Sequence, residues 1–527
     1  MVAVARHRLH RLFAVAVACA YGTARADSLG QWDGFDLRLD TAVRVSLGFR
    51  TEAADSALLA NINADDGDRA FTPGLNSERV DVVSELTGER GALGFDVSGQ
   101  GWYDAAYNTR SANDSPQTFN PLNVSNRGFA PDVRDLMGKQ AELLNAFVRD
   151  TETVDGLPVT VSIGRQTLLW GESLLFPENG IAASMAPVDD IKSLAAPLAE
   201  AREVFLPVTQ IVARAGFGGG VSVEWYDQWE WRRDRLPGVG SFFSTTDILD
   251  QGGQFYYGQN GFPNLYRGAD AVPHGIGEFG LALRQTGGGV DWGIYALRAD
   301  ARSPSLAFDP ADYQYHLYFP RGIGVFGASL SGYAGDANMA AEISLHENTP
   351  LDASGVVSTA ASPGGGAAYA AAIIAPRAAP LPPSIRGETG TSVNGQISVD
   401  AQLPPNALAN SMILQGELAG NDVVSSFVPA GRTGFALAAR AVMTLDYFHV
   451  RPGLDLAVPL GFGLGLWGRS SVDASQNAGT GFVSVGLTLT YHVVWQGGLS
   501  VTHFVGGAGL QPLADRDFVT VAVTRSF

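Results

Sequence analysis

The chain has 527 residues, with 64 Gly, 27 Pro, one Cys and a formal charge of −18, and only 17% of its positions are charged. Glycine far exceeds its usual share of about 7%, while the hydrophobic fraction of 46% is ordinary. Disorder and collagen are excluded, and helical bundles are disfavoured because Gly and Pro at this level interrupt helices. A chain of this length is then either several small β domains or one large barrel.

Residues 1–26 read as a secretory leader. Arg6, Arg8 and Arg11 precede an apolar run over 12–20, and Ala24-Arg25-Ala26 supplies small residues at the cleavage positions. The only cysteine, Cys19, lies inside that leader, so the mature chain is expected to use no disulfides. Removing four Arg and no acid gives 31 − 53 = −22, an acidity that argues against nucleic acid as a partner. No later apolar stretch approaches the roughly 18 residues of a membrane helix, so a helical inner-membrane protein is not expected. An exported chain without a helical anchor is either soluble or crosses a membrane as a closed barrel.

Alternation favours the barrel. Residues 43–50 place Val43, Val45, Leu47 and Phe49 on one face and Arg44, Ser46, Gly48 and Arg50 on the other. Residues 93–100, 159–164 and 435–447 repeat the pattern. The clearest case is 483–495, read as one strand with Val483, Val485, Leu487, Leu489, Tyr491, Val493 and Trp495 on its apolar face. The opposite faces carry Gly, Ser, Thr and single charges, as a wet lumen requires. The chain ends in an alternating strand closed by Phe527, which resembles the insertion signal of bacterial outer-membrane barrels. Arg525 interrupts the apolar row and is expected to snorkel toward headgroups.

Between these strands, residues 61–68 form an acidic turn whose spacing superficially matches a calcium loop. Asp66 stands where that loop needs Gly and Thr72 where it needs Glu, so a solvated turn is the preferred reading. Residues 171–208 lack strand alternation and contain four prolines; Asp189 or Asp190 is placed to cap a short helix before Ile191, which Pro197 would interrupt. A loop this long in a barrel is expected to pack in or over the lumen. Residues 227–275 make a second polar, aromatic loop, and 352–384 an Ala/Gly/Pro-rich one. The eight histidines show no metal-ligand spacing in the mature chain, and no G-x-S-x-G, P-loop or H-E-x-x-H is present. No metal, cofactor or enzymatic activity is therefore expected.

The denser chemistry lies in Gly164-Arg165-Gln166, Trp170-Gly171-Glu172-Ser173, Pro187-Val188-Asp189 and Arg202-Glu203. Arg165, Glu172, Asp189, Arg202 and Glu203 are candidate lumenal groups. The preferred reading is structural, with paired charges anchoring the long loop; the functional one has them line a constriction. Trp225, Trp229 and Trp231 are read first as an interfacial girdle and second as a binding patch.

The same stretches, with Trp102-Tyr103-Asp104, Asn179-Gly180, Glu224-Trp225-Tyr226, 243–247, 278–281 and 515–519, carry a resemblance. The chain resembles the bacterial outer-membrane barrel family known as domain of unknown function 1302, departing from it where Leu194-Ala195-Ala196-Pro197 replaces a basic pair. The resemblance implies a barrel that works beside an RND-type inner-membrane transporter and a periplasmic protein resembling lipid carriers.

These readings converge on an all-β protein: a transmembrane outer-membrane β-barrel of roughly 14–18 antiparallel strands, occupying 27–527 as one domain after a leader over 1–26. The expected location is the cell outer membrane, reached through the barrel assembly machinery and surrounded by outer-membrane lipid. The expected function is a channel or docking protein for hydrophobic or lipid-like compounds, gated by the loop over 171–208. A general diffusion porin and an outer-membrane lipid hydrolase are the alternatives.

Overall fold

A computed structural model describes residues 27–196, 204–309, 313–351, 389–425, 428–429 and 431–527. The expected leader over 1–26, the expected loop over 352–384, and Arg202 with Glu203 lie outside the described residues. The strands, in chain order, are β1 (Asp27–Trp32), β2 (Phe35–Arg50), β3 (Gly74–Arg90), β4 (Leu93–Asp104), β5 (Lys139–Val154), β6 (Leu157–Gln166), β7 (Val208–Gly218) and β8 (Val221–Gln228). Then follow β9 (Phe255–Tyr256), β10 (Leu265–Arg267), β11 (Glu278–Gln285), β12 (Val290–Ala299), β13 (Ser305–Asp309), β14 (Gln314–Tyr318), β15 (Ile323–Ala334) and β16 (Ala337–Pro350). The last are β17 (Thr389–Leu403), β18 (Ser411–Val423), β19 (Phe435–Arg451), β20 (Leu454–Trp467), β21 (Gly481–Tyr491), β22 (Trp495–Val505) and β23 (Phe518–Ser526).

Antiparallel pairing runs from β2 through β8, then β11, β12 and β15 through β23, and β23 returns to β2 with Val45 opposite Val523 and Phe49 opposite Val519. The result is a closed ring of 18 strands, at the top of the range expected from length. Closure removes the sheet edges that lipid could not satisfy. β1 pairs only with β2 and extends one rim. Every second connection is short. Asp33-Gly34 and Asp155-Gly156, for example, take up the positive φ values that tight hairpins require (48° and 80°; 50° and 81°). The intervening connections are long, so all the long segments leave from the opposite rim.

The period-two pattern sorts side chains between two solvents. Along β21, Val483 and Val485 on the outer face are 45% and 48% exposed while Ser484 between them is buried at 3%. Leu281, Ile294, Leu330, Ile343 and Ile397 continue the exposed apolar belt round the barrel. Inward positions carry Ser344, Asn394, Gln396, Ser398 and Asn421, all buried. A water-facing outer wall would reverse this distribution.

Two of the expected strand details change. The run over 483–495 is broken: β21 stops at Tyr491, His492 and Val493 turn at φ 49° and 67°, and Trp495 opens β22 opposite Tyr491. Arg525 does not snorkel. It is buried, with its guanidinium 5.0 Å from the Trp495 ring centroid and 4.6 Å from that of Phe527. Cation–π contact holds it at the strand end.

The long segments build cores of their own. Phe71, Tyr107, Phe129, Val133, Leu136, Phe242 and Phe243 pack together against Phe504 and Phe518 of the wall. A second small sheet, ordered β13-β14-β10-β9, closes over Leu265, Leu306, Tyr315 and Leu317.

Candidate functional site

Residues 167–207 connect β6 to β7, yet part of that connection, residues 172–181, is held by strands on the far side of the ring. In barrel order β18 stands eight strands from β6 in a ring of 18, so a segment that leaves β6 and touches β18 spans the lumen. Two inward carboxylates make the attachment. Glu342 of β16 accepts the Glu172 N–H at 2.6 Å and the Ile181 N–H at 2.7 Å. Glu417 of β18 accepts the N–H groups of Leu174 at 3.1 Å, Phe176 at 2.8 Å, and Leu175. Hydrogen bonds to a charged acceptor are the stronger kind, about 1.5–3 kcal/mol each. Arg440 of β19 donates to the Leu175 carbonyl and lies 4.3 Å over the Phe176 ring. Asn179 donates to Gln396 at 3.2 Å and accepts from Gln476 at 2.9 Å.

The near end is fixed by Trp170, 1% exposed, whose indole N–H donates to Glu224 at 2.6 Å. Its ring packs against Tyr226 and Tyr295 at 5.0 and 5.7 Å. Gly171 follows at φ +90°, and a Cβ there would fall on the Glu342 carboxylate. The glycine thus supplies a conformation L residues disfavour and the space the anchor occupies.

The expected site residues take other partners than each other. Arg165 pairs with Glu230 at 3.4 Å. Glu172 accepts from Ser331 at 3.4 Å, and burial raises its carboxyl above the ordinary range. Asp189 caps the helix Asp190–Ala195 through the Lys192 N–H and pairs with Arg235 at 2.6 Å. Arg235 in turn meets Glu142 at 2.6 Å, and Arg232 meets the same carboxylate at 2.9 Å. Trp225 and Trp229 are exposed, the latter donating to Asp227 at 2.7 Å. Trp231 does not join them: it donates to the Ala301 carbonyl at 3.1 Å and packs edge-on against Phe319. Phe527 exchanges backbone hydrogen bonds with Thr41, completing the β2–β23 seam.

Sequence reasoning gave no anchoring role to Glu342, Glu417, Glu224 or Arg440. Their one signal is a charge at an inward position of an alternating strand, as in Ala341-Glu342-Ile343 and Gly416-Glu417-Leu418.

Two clusters of charge lie beside the inner segment. Glu178 lies within electrostatic reach of Asp473 and Asp234, with Arg440 opposing them, and Asp190 within reach of Glu178, Asp234 and Asp189. Enclosure by the barrel, then the charges of Asp473 and Asp234, push Glu178 up to about 8, although lumenal solvent reaches its side chain. Enclosure and the Glu178 charge likewise raise Asp190. Adjacent to Asp234 is a cavity of about 350 Å³ lined by Lys139, Arg232, Arg233, Arg235, Asp135 and Asp250. Arg233 pairs there with Asp250 at 2.7 Å and Asp270 at 3.2 Å.

The acidic turn is not solvated, contrary to expectation. Asp65, Asp66 and Asp68 are 0%, 0% and 3% exposed. Segment 229–277 covers them, and Gly67 leaves no room for a Cβ between the Ser241 and Ser244 carbonyls (2.9 and 2.7 Å). Asp68 pairs with the fully buried Arg516 at 2.5 Å, and Arg516 and Arg50 share Asp515 at 3.1 and 3.0 Å. That network balances two acids with two arginines, as buried charge requires.

No curated protein sequence matches the chain. Among solved structures it is similar to OccAB1 of Acinetobacter baumannii, at 11% identity and TM-score 0.43, covering 96% of this chain and 99% of that one. It is similar to a BenF-like porin from Pseudomonas fluorescens Pf-5 at 10% identity and TM-score 0.42, covering 93% and 98%. A third likeness is OpdK of Pseudomonas aeruginosa with vanillate, at 11% identity, TM-score 0.39, and 93% and 98% coverage. The family described as protein of unknown function DUF1302 matches residues 8–527, and the chain belongs to that family.

Proposed function

We propose that the protein is an outer-membrane channel whose passage is set by residues 167–196, held across the lumen as a fixed constriction. The observation that carries this reading is the pair of inward carboxylates, Glu342 and Glu417, which fasten that segment to the wall opposite its own strands. An apolar outer belt and a polar inner face supply the two solvents such a channel needs. In this reading the short turns face the periplasm and the long segments the exterior. The passing solute is small and polar, because carboxylates and arginines line the constriction and an apolar solute would have to desolvate them.

A second reading adds a partner. The short-turn rim exposes Trp32, Phe217, Tyr333, Leu408, Phe448 and Val493, an apolar footing for a periplasmic carrier that hands on lipid-like cargo from an RND-type transporter. Reconstitution in a planar bilayer separates the two. The channel reading expects a steady small conductance from the purified protein alone, rising when Glu342 and Glu417 are both changed to Gln. Silence of both proteins in the bilayer overturns it, and transfer of a fluorescent lipid only with added periplasmic carrier supports the second.

A further inference from the structure

Beyond the passage, three carboxylates come together where long segments meet. Asp65 and Asp66 open the short helix Asp66–Ala70 between β2 and β3, and Asp247 belongs to the segment between β8 and β11. One oxygen from each lies within 4.8 Å of the others. All three residues are fully buried at 0% exposure. Among the described residues, one cation pairs with the trio: Arg69, at 2.5 Å from Asp65. Three acids against one arginine leave an excess of negative charge, unlike the balanced Asp68–Arg516–Asp515–Arg50 network beside them.

The hydrogen bonds show what is lacking. Asp66 is satisfied on both oxygens, by Asn113 at 2.9 Å and the Asn120 N–H at 2.8 Å. Asp65 spends one oxygen on Arg69 and on Thr118 at 2.9 Å, and Asp247 spends one on the Asp66 N–H at 3.3 Å. The second oxygen of Asp65 and that of Asp247 have no hydrogen-bond partner among the described residues. A fully buried carboxylate oxygen without a donor marks a missing ligand, because solvent cannot replace the bond.

We infer that Asp65, Asp66 and Asp247 bind a calcium ion that clamps the turn after β2 to the segment between β8 and β11. All the donors are hard oxygens, as calcium prefers, and opposite ligands of that ion stand about 5 Å apart, which accommodates the observed spacing. The ligand set is not the consecutive loop that the sequence spacing suggested. It draws its third acid from 181 residues further along the chain. The clamp is independent of the channel reading, since a barrel of any function would use it.

The test is calcium equilibrium dialysis on the full-length protein, folded in detergent, against micromolar free calcium. The wild type is expected to retain one more calcium per chain than Asp247→Asn, with folding of both checked by heat-modifiable gel migration. Chelator is expected to lower the thermal midpoint of the wild type and to leave that of Asp247→Asn unchanged. Asp65→Asn serves as the second variant if Asp247→Asn does not fold. A wild type that retains no calcium, or a stoichiometry and chelator response equal in wild type and variant, overturns the site and leaves protons as its only occupants.

Discussion

Glu417 and Phe176 are 241 residues apart in sequence, yet the carboxylate of one accepts the backbone N–H of the other at 2.8 Å in the middle of the barrel. With the neighbouring N–H groups of Leu174 and Leu175, this single side chain ties down three consecutive residues of the inner segment. Replacing it by Gln keeps the shape but exchanges charge-assisted bonds for neutral ones and introduces a misplaced donor. The expected loss in anchoring is roughly 2–4 kcal/mol. Glu417→Gln should speed hydrogen exchange at Leu174, Leu175 and Phe176 while leaving strand amides protected, and should broaden single-channel conductance. Unchanged exchange at those three amides would show that Arg440 and Asn179 hold the segment without it.

Gly171 tests the same anchorage from the other partner. Its φ of +90° and the absence of space beside Glu342 mean that Ala must shift the carboxylate, the turn, or both. Positive φ alone costs a β-carbon about 1 kcal/mol, and displacing Glu342 adds two broken hydrogen bonds. Gly171→Ala is expected to insert as a barrel, since the glycine lies outside the strands, but to expose residues 171–181 to limited proteolysis. A protease pattern identical to wild type would rule out the proposed tight fit.

The barrel itself was legible because lipid on one side and water on the other impose a period of two on every strand, and β2, β4, β6 and β19 announce it. The turn at His492-Val493 was not legible: neither residue favours positive φ, and Val493 continues the alternation of β21 straight into β22. The sheet of β9, β10, β13 and β14 escaped because strands of two to five residues are too short to display a period. The lumenal attachments escaped for another reason. Arg165 and Glu172 are close in sequence and invited pairing, whereas the partners that matter, Glu342 and Glu417, become neighbours only when the ring closes.

Trp170 carries the near end of the inner segment, and its loss should be felt as stability. Removing a ring packed between Tyr226 and Tyr295 costs about 3–5 kcal/mol in a packed core. Trp170→Ala should lower the temperature at which the folded band disappears on heat-modifiable gels. Trp170→Phe should lose far less, since it keeps the aromatic contact and Glu224 retains Arg284 at 3.1 Å. Equal losses in the two variants would place the stabilisation in the indole hydrogen bond to Glu224.

Glu178 gives the passage a pH response with a defined sign. Its carboxyl is raised from 4.5 to about 8 by enclosure and by Asp473 and Asp234. It is therefore protonated and neutral at pH 6 and ionised at pH 9. Ionisation adds a negative charge beside the constriction, so cation preference, read as the reversal potential in a potassium chloride gradient, should rise as pH increases through about 8. Stability should move the opposite way. A carboxyl raised on folding contributes fully below its unfolded value of 4.5 and loses that contribution as pH climbs through about 8. Glu178→Gln should remove the selectivity step in that window and flatten the accompanying decline in thermal midpoint. A step of equal size in the variant would show that Glu178 is not the group that titrates.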